Sequence, residues 1–279
     1  MSGRVDTLES GSQLPPDHWI KEFQVRSYEV EPDGRLRIVA LTRMLQETAW
    51  QHARRLGWGL VNRREGELFW VLTRLRIRVD RYPRWGETFA IRTWPVGTEK
   101  ILAIRDFTIV DDEGVAIGQV SSGYLMVDGS TGRPIRPGPF VEGVTVHPSS
   151  YDGDLSRLPA AAAQQVTSPL PVRHHDIDQY RHVNSSAYVE WIVDAIAEDA
   201  VVPEIHRLEL DYVKETLLDD HFQVRYIRDG NTTLCEVVRA QGGSHDAARS
   251  GPATAADATA PSNGEADVNC RARITWKET

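Results

Sequence analysis

Apolar residues between positions 41 and 57 recur at helical spacing: Leu41, Met44, Leu45, Thr48, Ala49 and His52 share one face, and Ala53 and Leu56 extend it. Gly57 follows as a C-terminal stop. A first strand is predicted before this helix, over 18–29. Beyond it the period shortens to that of strands, over 68–80, 87–96, 99–110 and 115–127. Gly97-Thr98 and Asp112-Glu113-Gly114 are the expected hairpin turns between them. The same order then returns, with a strand over 167–176, a helix over 185–198, and strands over 205–215, 221–228, 232–240 and 268–276. Asp229-Gly230-Asn231 supplies a further hairpin turn.

This is a repeat of strand, helix and four strands. Even the first strands share a local pattern, Val25-Arg26-Ser27-Tyr28-Glu29-Val30 against Val172-Arg173-His174-His175-Asp176-Ile177. The expected fold class is α+β, with each half wrapping an antiparallel sheet around one helix. Two such units side by side share a long sheet and place ligands between them. The expected boundaries are 18–150 for the first unit and 172–279 for the second, joined by a linker over 151–171. Residues 1–17 are expected to be a disordered leader. Residues 241–267, rich in Ala, Gly, Ser and Asp, interrupt the last hairpin as a disordered insertion.

Composition narrows the class. Apolar residues make up 41% of the 279, enough for a buried core. No apolar run approaches a membrane span, and the first residues lack the basic-then-apolar order of a signal peptide. Two cysteines, Cys235 and Cys270, make no disulfide framework and read as small core residues, so a cytoplasmic location is expected. The net charge of −8 argues against general nucleic-acid binding.

Candidate chemistry concentrates in Asp176-Ile177-Asp178-Gln179-Tyr180-Arg181-His182-Val183-Asn184, directly before the second helix. Asn184 suits the N-cap. N–H groups of the first turn, around Asn184 to Ser186, can stabilise an oxygen that gains negative charge during a reaction. A carboxylate just upstream can act as base or nucleophile. If 167–176 is a strand that continues, Asp176 and Asp178 share a face and spacing does not choose between them. His174, His175, Asp176, Asp178 and His182 also form a metal-binding alternative of the kind found in histidine–aspartate hydrolases. Those enzymes are helical, whereas this chain is dominated by strands, and the preferred reading needs no metal and no cofactor.

At this point a resemblance becomes specific. The chain resembles the acyl-acyl-carrier-protein thioesterases, the plant plastid enzymes and their bacterial relatives, from about Glu22 to Trp276. In the first half the resemblance rests on Tyr28-Glu29-Val30, Leu45-Gln46-Glu47-Thr48-Ala49, Trp70-Val71-Leu72-Thr73-Arg74, Val79-Asp80-Arg81-Tyr82-Pro83-Arg84-Trp85-Gly86-Glu87 and Thr93-Trp94. In the second it rests on Asp176-Ile177-Asp178, His182-Val183-Asn184, Tyr188, Trp191 and Leu210-Asp211-Tyr212-Val213-Lys214-Glu215. The fold this implies is a double (tandem) hotdog. The activity it implies is hydrolysis of the acyl-acyl-carrier-protein thioester to a free fatty acid, which ends chain elongation in fatty-acid synthesis. A bacterial member is expected, since no plastid transit segment is seen.

The resemblance carries the catalytic acid onto Asp178, the histidine onto His182 and a glutamate onto Glu215. A family asparagine two residues after the acid falls on Tyr180, a departure, because a phenol cannot copy the geometry of an amide. The cysteine that follows the family's glutamate is Thr216 here, so cysteine chemistry at that position is excluded. The resemblance also places the acyl pocket in the first half, with Met44, Leu45, Thr48, Ala49, Trp50 and Trp70 as candidate lining. The implied partner is acylated acyl carrier protein, with no nucleic acid and no membrane span, and with a homodimer as an open assembly. The carrier is acidic, and Arg74, Arg76 and Arg78, with Arg81 and Arg84 nearby, are the candidate docking strip. Two alternatives stay open: an acyl-CoA thioesterase, and a non-catalytic acyl-binding hotdog protein, for which Tyr180 speaks.

Overall fold

A computed structural model of the chain describes residues 17–58, 68–137, 145–197, 203–240 and 267–277. The leader lies almost wholly outside the described residues, as do positions 241–266 of the expected insertion. The strands are β1 (Trp19–Gln24), β2 (Leu68–Val79), β3 (Thr88–Glu99), β4 (Leu102–Asp111), β5 (Ala116–Asp128), β6 (Pro134–Ile135), β7 (Gln165–Val166), β8 (Leu170–Pro171), β9 (Ile205–Tyr212), β10 (His221–Asp229), β11 (Thr232–Arg239) and β12 (Val268–Trp276). The helices are α1 (Ile38–Arg55) and α2 (Ser185–Ile196). All strands join one antiparallel sheet, in the order β1-β3-β4-β5-β2-β9-β12-β11-β10-β7, with β6 on β5 and β8 on β10.

The halves meet at β2 and β9, where Arg74 pairs with Asp211, Leu75 with Leu210, Arg76 with Glu209 and Ile77 with Leu208. Alternation sends Leu75, Ile77, Leu208 and Leu210 to one face, where they are buried with the apolar faces of both helices. On α1 that face is Ile38, Val39, Leu41, Met44, Leu45, Ala49 and His52, as the helical spacing predicts. Gly57, at φ 76°, adopts the left-handed conformation that ends the helix. Both halves of the sheet therefore fold around helices that lie on the same side, which is the double hotdog architecture.

Three expectations change in detail. Gly97-Thr98 is not a turn: β3 runs through it to Glu99, with a bulge between Pro95 and Gly97. Pro95 has no N–H to give a regular ladder, and a bulge absorbs the irregularity. The turn falls instead at Lys100, at φ 57°. The expected strands over 18–29 and 167–176 are short, and each gives way to a 3-10 turn, at Ser27–Glu29 and His174–Asp176. In both turns an acid reaches back to the backbone N–H of an arginine, Glu29 to Arg26 at 2.9 Å and Asp176 to Arg173 at 2.7 Å. The shared local pattern is thus a repeated capping turn rather than a repeated strand. Finally, the stretch expected to be a linker lies on the sheet: Leu155 and Leu158 are buried, and β7 and β8 pair with β10.

Candidate active site

The 3-10 turn sets up the loop that follows it. Ile177 and Val183 form an isolated bridge, and Asp178 to His182 make the tight loop between them. Arg181 takes a left-handed φ of 66° to close it. Asp178 Oδ1 accepts backbone N–H bonds from Tyr180 at 2.8 Å and His182 at 3.2 Å. Its Oδ2 takes part in none of the hydrogen bonds seen among the described residues. The carboxylate is thus anchored by one oxygen while the other stays available. Asp176 does not share this role or this face: it is 3% exposed and committed to its capping turn. The structure separates the two acids where strand alternation could not.

His182 Nε2 stands 3.1 Å from Glu215 Oε2. The glutamate arrives from just past the end of β9, where Asn269 Nδ2 donates to its carbonyl at 3.0 Å. For a neutral ring, that contact puts the imidazole proton on Nε2 and fixes the ring plane. Thr216, in the place of the family cysteine, is buried and accepts from Tyr188 Oη at 2.8 Å. Burial pushes the Tyr188 phenol upward, so it stays a neutral donor.

Asn184 is the N-cap of α2, accepting from Ser186 N at 2.9 Å. Its own N–H goes to Asp176 O at 2.8 Å. Of the N–H groups expected to face an oxyanion, those of Asn184 and Ser186 are therefore already used. The Ser185 N–H, at the first helical position, has no acceptor within the helix. The predicted oxyanion donors thus narrow to this one group.

The first half repeats the frame without the chemistry. Leu36 N donates to Pro83 O as Val183 N does to Thr216 O, and Val25 N to Glu87 O as Val172 N does to Asp220 O. In that register Glu31, Arg35, Arg37 and Tyr82 occupy the places of Asp178, His182, Asn184 and Glu215. Tyr82 is buried and donates to Ile205 O at 2.9 Å, while Arg37 approaches Glu31 at 3.8 Å. No imidazole and no asparagine cap stand there, so the repeated frame carries one such constellation, in the second half.

The pocket and docking candidates fare unevenly. Met44, Leu45, Thr48 and Ala49 are buried on the sheet-facing side of α1, and Trp70 is half-buried beside Trp58. Trp50 is a correction: it is 40% exposed on the solvent side, with Arg54 over its ring. The arginine strip is corrected at Arg74, Arg76 and Arg78, which are covered. Arg76 is 1% exposed and bound to Asp211 Oδ1 at 2.7 Å, Leu210 O at 2.7 Å and Ser156 O at 2.6 Å. Arg74 donates to Leu155 O, and Arg78 pairs with Asp80 and Asp152. The 145–171 stretch covers this face, and alternation cannot report what packs over a strand. Arg81 is partly exposed and engaged with Glu87 and Asp111, and Arg84 donates to Asp33 O at 2.5 Å. A cavity of about 470 Å³ lies over the same outer face, between Tyr151, Asp154, Arg207, Glu209 and Arg273. It is polar and distinct from the Asp178 loop, and we assign it no part in acyl binding. Among the described residues no three His, Cys, Asp or Glu side chains gather as metal ligands.

Comparison with known proteins agrees with the fold. The model of the acyl-ACP thioesterase N-terminal domain matches residues 16–138, and that of the C-terminal domain matches residues 160–278. The chain belongs to the acyl-ACP thioesterase family. It is similar to the chloroplastic oleoyl-acyl carrier protein thioesterase 1 of Arabidopsis thaliana, 28% identical over 88% of this chain and 72% of that one. The chloroplastic palmitoyl-acyl carrier protein thioesterase of Gossypium hirsutum is 31% identical, over 76% of this chain and 55% of the relative. The crystal structure of an acyl-ACP thioesterase from Bacteroides thetaiotaomicron superposes with a TM-score of 0.76 at 26% identity, over 94% of this chain and 98% of that one.

Proposed function

We propose that the second-half site hydrolyses the acyl-acyl-carrier-protein thioester to a free fatty acid and the carrier thiol, ending chain elongation in fatty-acid synthesis. The observation that carries the roles is the division of labour at Asp178, with Oδ1 fixed by two backbone N–H groups and Oδ2 left open. Oδ2 takes a proton from a water molecule as that water attacks the thioester carbonyl carbon. Negative charge that develops on the carbonyl oxygen meets the Ser185 N–H at the start of α2. The tetrahedral adduct then collapses, the C–S bond breaks, and the proton that Asp178 took from the water passes through His182 to the departing sulfur, which leaves Asp178 a carboxylate again. Glu215 orients the His182 ring through the 3.1 Å contact with Nε2. Tyr180 does not undermine this assignment. Its contribution to Asp178 is a backbone N–H, which any residue other than proline supplies.

Acyl chains enter the first half, between α1 and the sheet, where Met44, Leu45, Thr48 and Ala49 face inward. The carrier docks around the mouth of the site rather than on the covered Arg74, Arg76 and Arg78. The test compares thioesters of one acyl chain on acyl carrier protein and on coenzyme A. A clear preference for the carrier-bound thioester is expected, and equal or better turnover of the acyl-CoA would favour an acyl-CoA thioesterase instead. In the same assay His182→Ala should lose about 10²–10⁴-fold in kcat.

A further inference from the structure

Arg105 on β4 is 6% exposed and faces α1 in the interior of the first half. Nη1 contacts His52 Nδ1 at 2.7 Å and Thr93 Oγ1 at 3.2 Å. No carboxylate among the described residues pairs with it. The neighbouring Asp106 points to the opposite face, where Ser121, Ser149 and Ser150 hold it. Other buried arginines are treated differently: Arg76 has Asp211 and Arg271 has Glu236. His52 cannot serve as a counterion, since it accepts through Nδ1 and is therefore neutral. Burial and then the guanidinium hold its imidazole down at about 3.

The Asp17 carboxylate lies near enough to act on His52 and the Tyr124 phenol near enough to act on Arg105, but neither is hydrogen-bonded to the guanidinium. Trp19 lies parallel to the His52 ring at 6.4 Å, and its indole N–H is buried without an acceptor among the described residues. A buried guanidinium with no carboxylate paired to it, near an unused indole N–H on the far side of His52, is costly unless something accepts from it. Position fits an acyl chain. Arg43 contacts Ser186 in the first turn of α2, and His52 lies farther along α1. At 1.5 Å per residue that separation is roughly 13–14 Å, the reach of a medium-length chain.

We infer that Arg105, with His52, Thr93 and Trp19, forms a terminal subsite for acyl chains whose far end carries an accepting oxygen, a carboxylate above all. This inference rests on the reading that the first half holds the acyl chain. The test uses the full chain and three carrier-bound thioesters of about ten carbons, ending in methyl, hydroxyl or carboxylate. The wild type should favour the carboxylate end over methyl by roughly tenfold or more in kcat/KM, as a charge-assisted hydrogen bond implies. Arg105→Gln should level that ratio mainly through KM. A wild type that hydrolyses the methyl-ended substrate as well or better overturns the subsite, and that comparison needs no variant to fold. The underlying reading is tested separately. If Ala49→Phe leaves chain-length preference unchanged, the first half is not the acyl pocket. Turnover of the methyl-ended substrate alone leaves the thioesterase assignment standing while removing the subsite.

Discussion

At the residue scale, the buried imidazole of His52 gives the chain a defined acid sensitivity. Its ordinary value of 6.5 is lowered to about 3 in the fold, by burial first and Arg105 next. The unfolded chain therefore takes up a proton below pH 6.5 that the folded chain refuses until about pH 3. The stability this neutral state provides is complete above 6.5 and is lost as pH falls from 6.5 toward 3. The slope is about 1.4 kcal/mol per pH unit for one proton. Urea midpoints measured between roughly pH 7 and 5 should fall more steeply for wild type than for His52→Gln, and parallel curves would contradict this. Little of this was legible beforehand. His52 was placed on the buried face by spacing, but nothing in a single sequence marks Arg105 as its partner 53 positions away.

At the element scale, the first turn of α2 joins stability to chemistry. Asn184 caps the helix through Ser186 N, so Asn184→Ala should cost about 1 kcal/mol in chemical denaturation, while Asn184→Asp should cost much less. The Ala variant should also lose kcat, because the Ser185 N–H would no longer be held in place. Unchanged kcat in a less stable Asn184→Ala would separate the cap from the reaction. Most elements were readable from periodicity, and β12 was predicted over the very residues it occupies. The errors came where turn chemistry replaces alternation. The acid-capped turns at Glu29 and Asp176 resemble strand ends in sequence, and the bulge after Pro95 displaced a turn by a few residues.

For the whole molecule, the seam between the halves carries the most exposed risk. Arg76 on β2 and Asp211 on β9 form a buried pair, and Asp211 Oδ2 also accepts from Leu158 N at 2.7 Å. Removing one partner leaves the other charged and buried, so Arg76→Met should destabilise by about 3–5 kcal/mol. The double variant with Asp211→Leu should recover much of that loss, and an additive pair of losses would argue against coupling. The repeat and the fold class were legible in the order of strands and helices. The seam was not, because an alternating arginine strip looks the same whether solvent or another segment covers it. The resemblance identified Asp178, His182 and Glu215, and the structure brought the histidine and the glutamate together.

The central claim is that Asp178 activates water against an acyl-carrier-protein thioester. The most direct measurement is thiol release from a panel of acyl-carrier-protein thioesters by wild type and Asp178→Asn, with circular dichroism on both. Asparagine keeps an Oδ1 that can accept the two backbone N–H bonds of the loop, so the variant should fold like wild type. It lacks the basic oxygen, so turnover should fall by at least about 10²–10⁴-fold. A folded Asp178→Asn protein that hydrolyses the panel at the wild-type rate would contradict the mechanism.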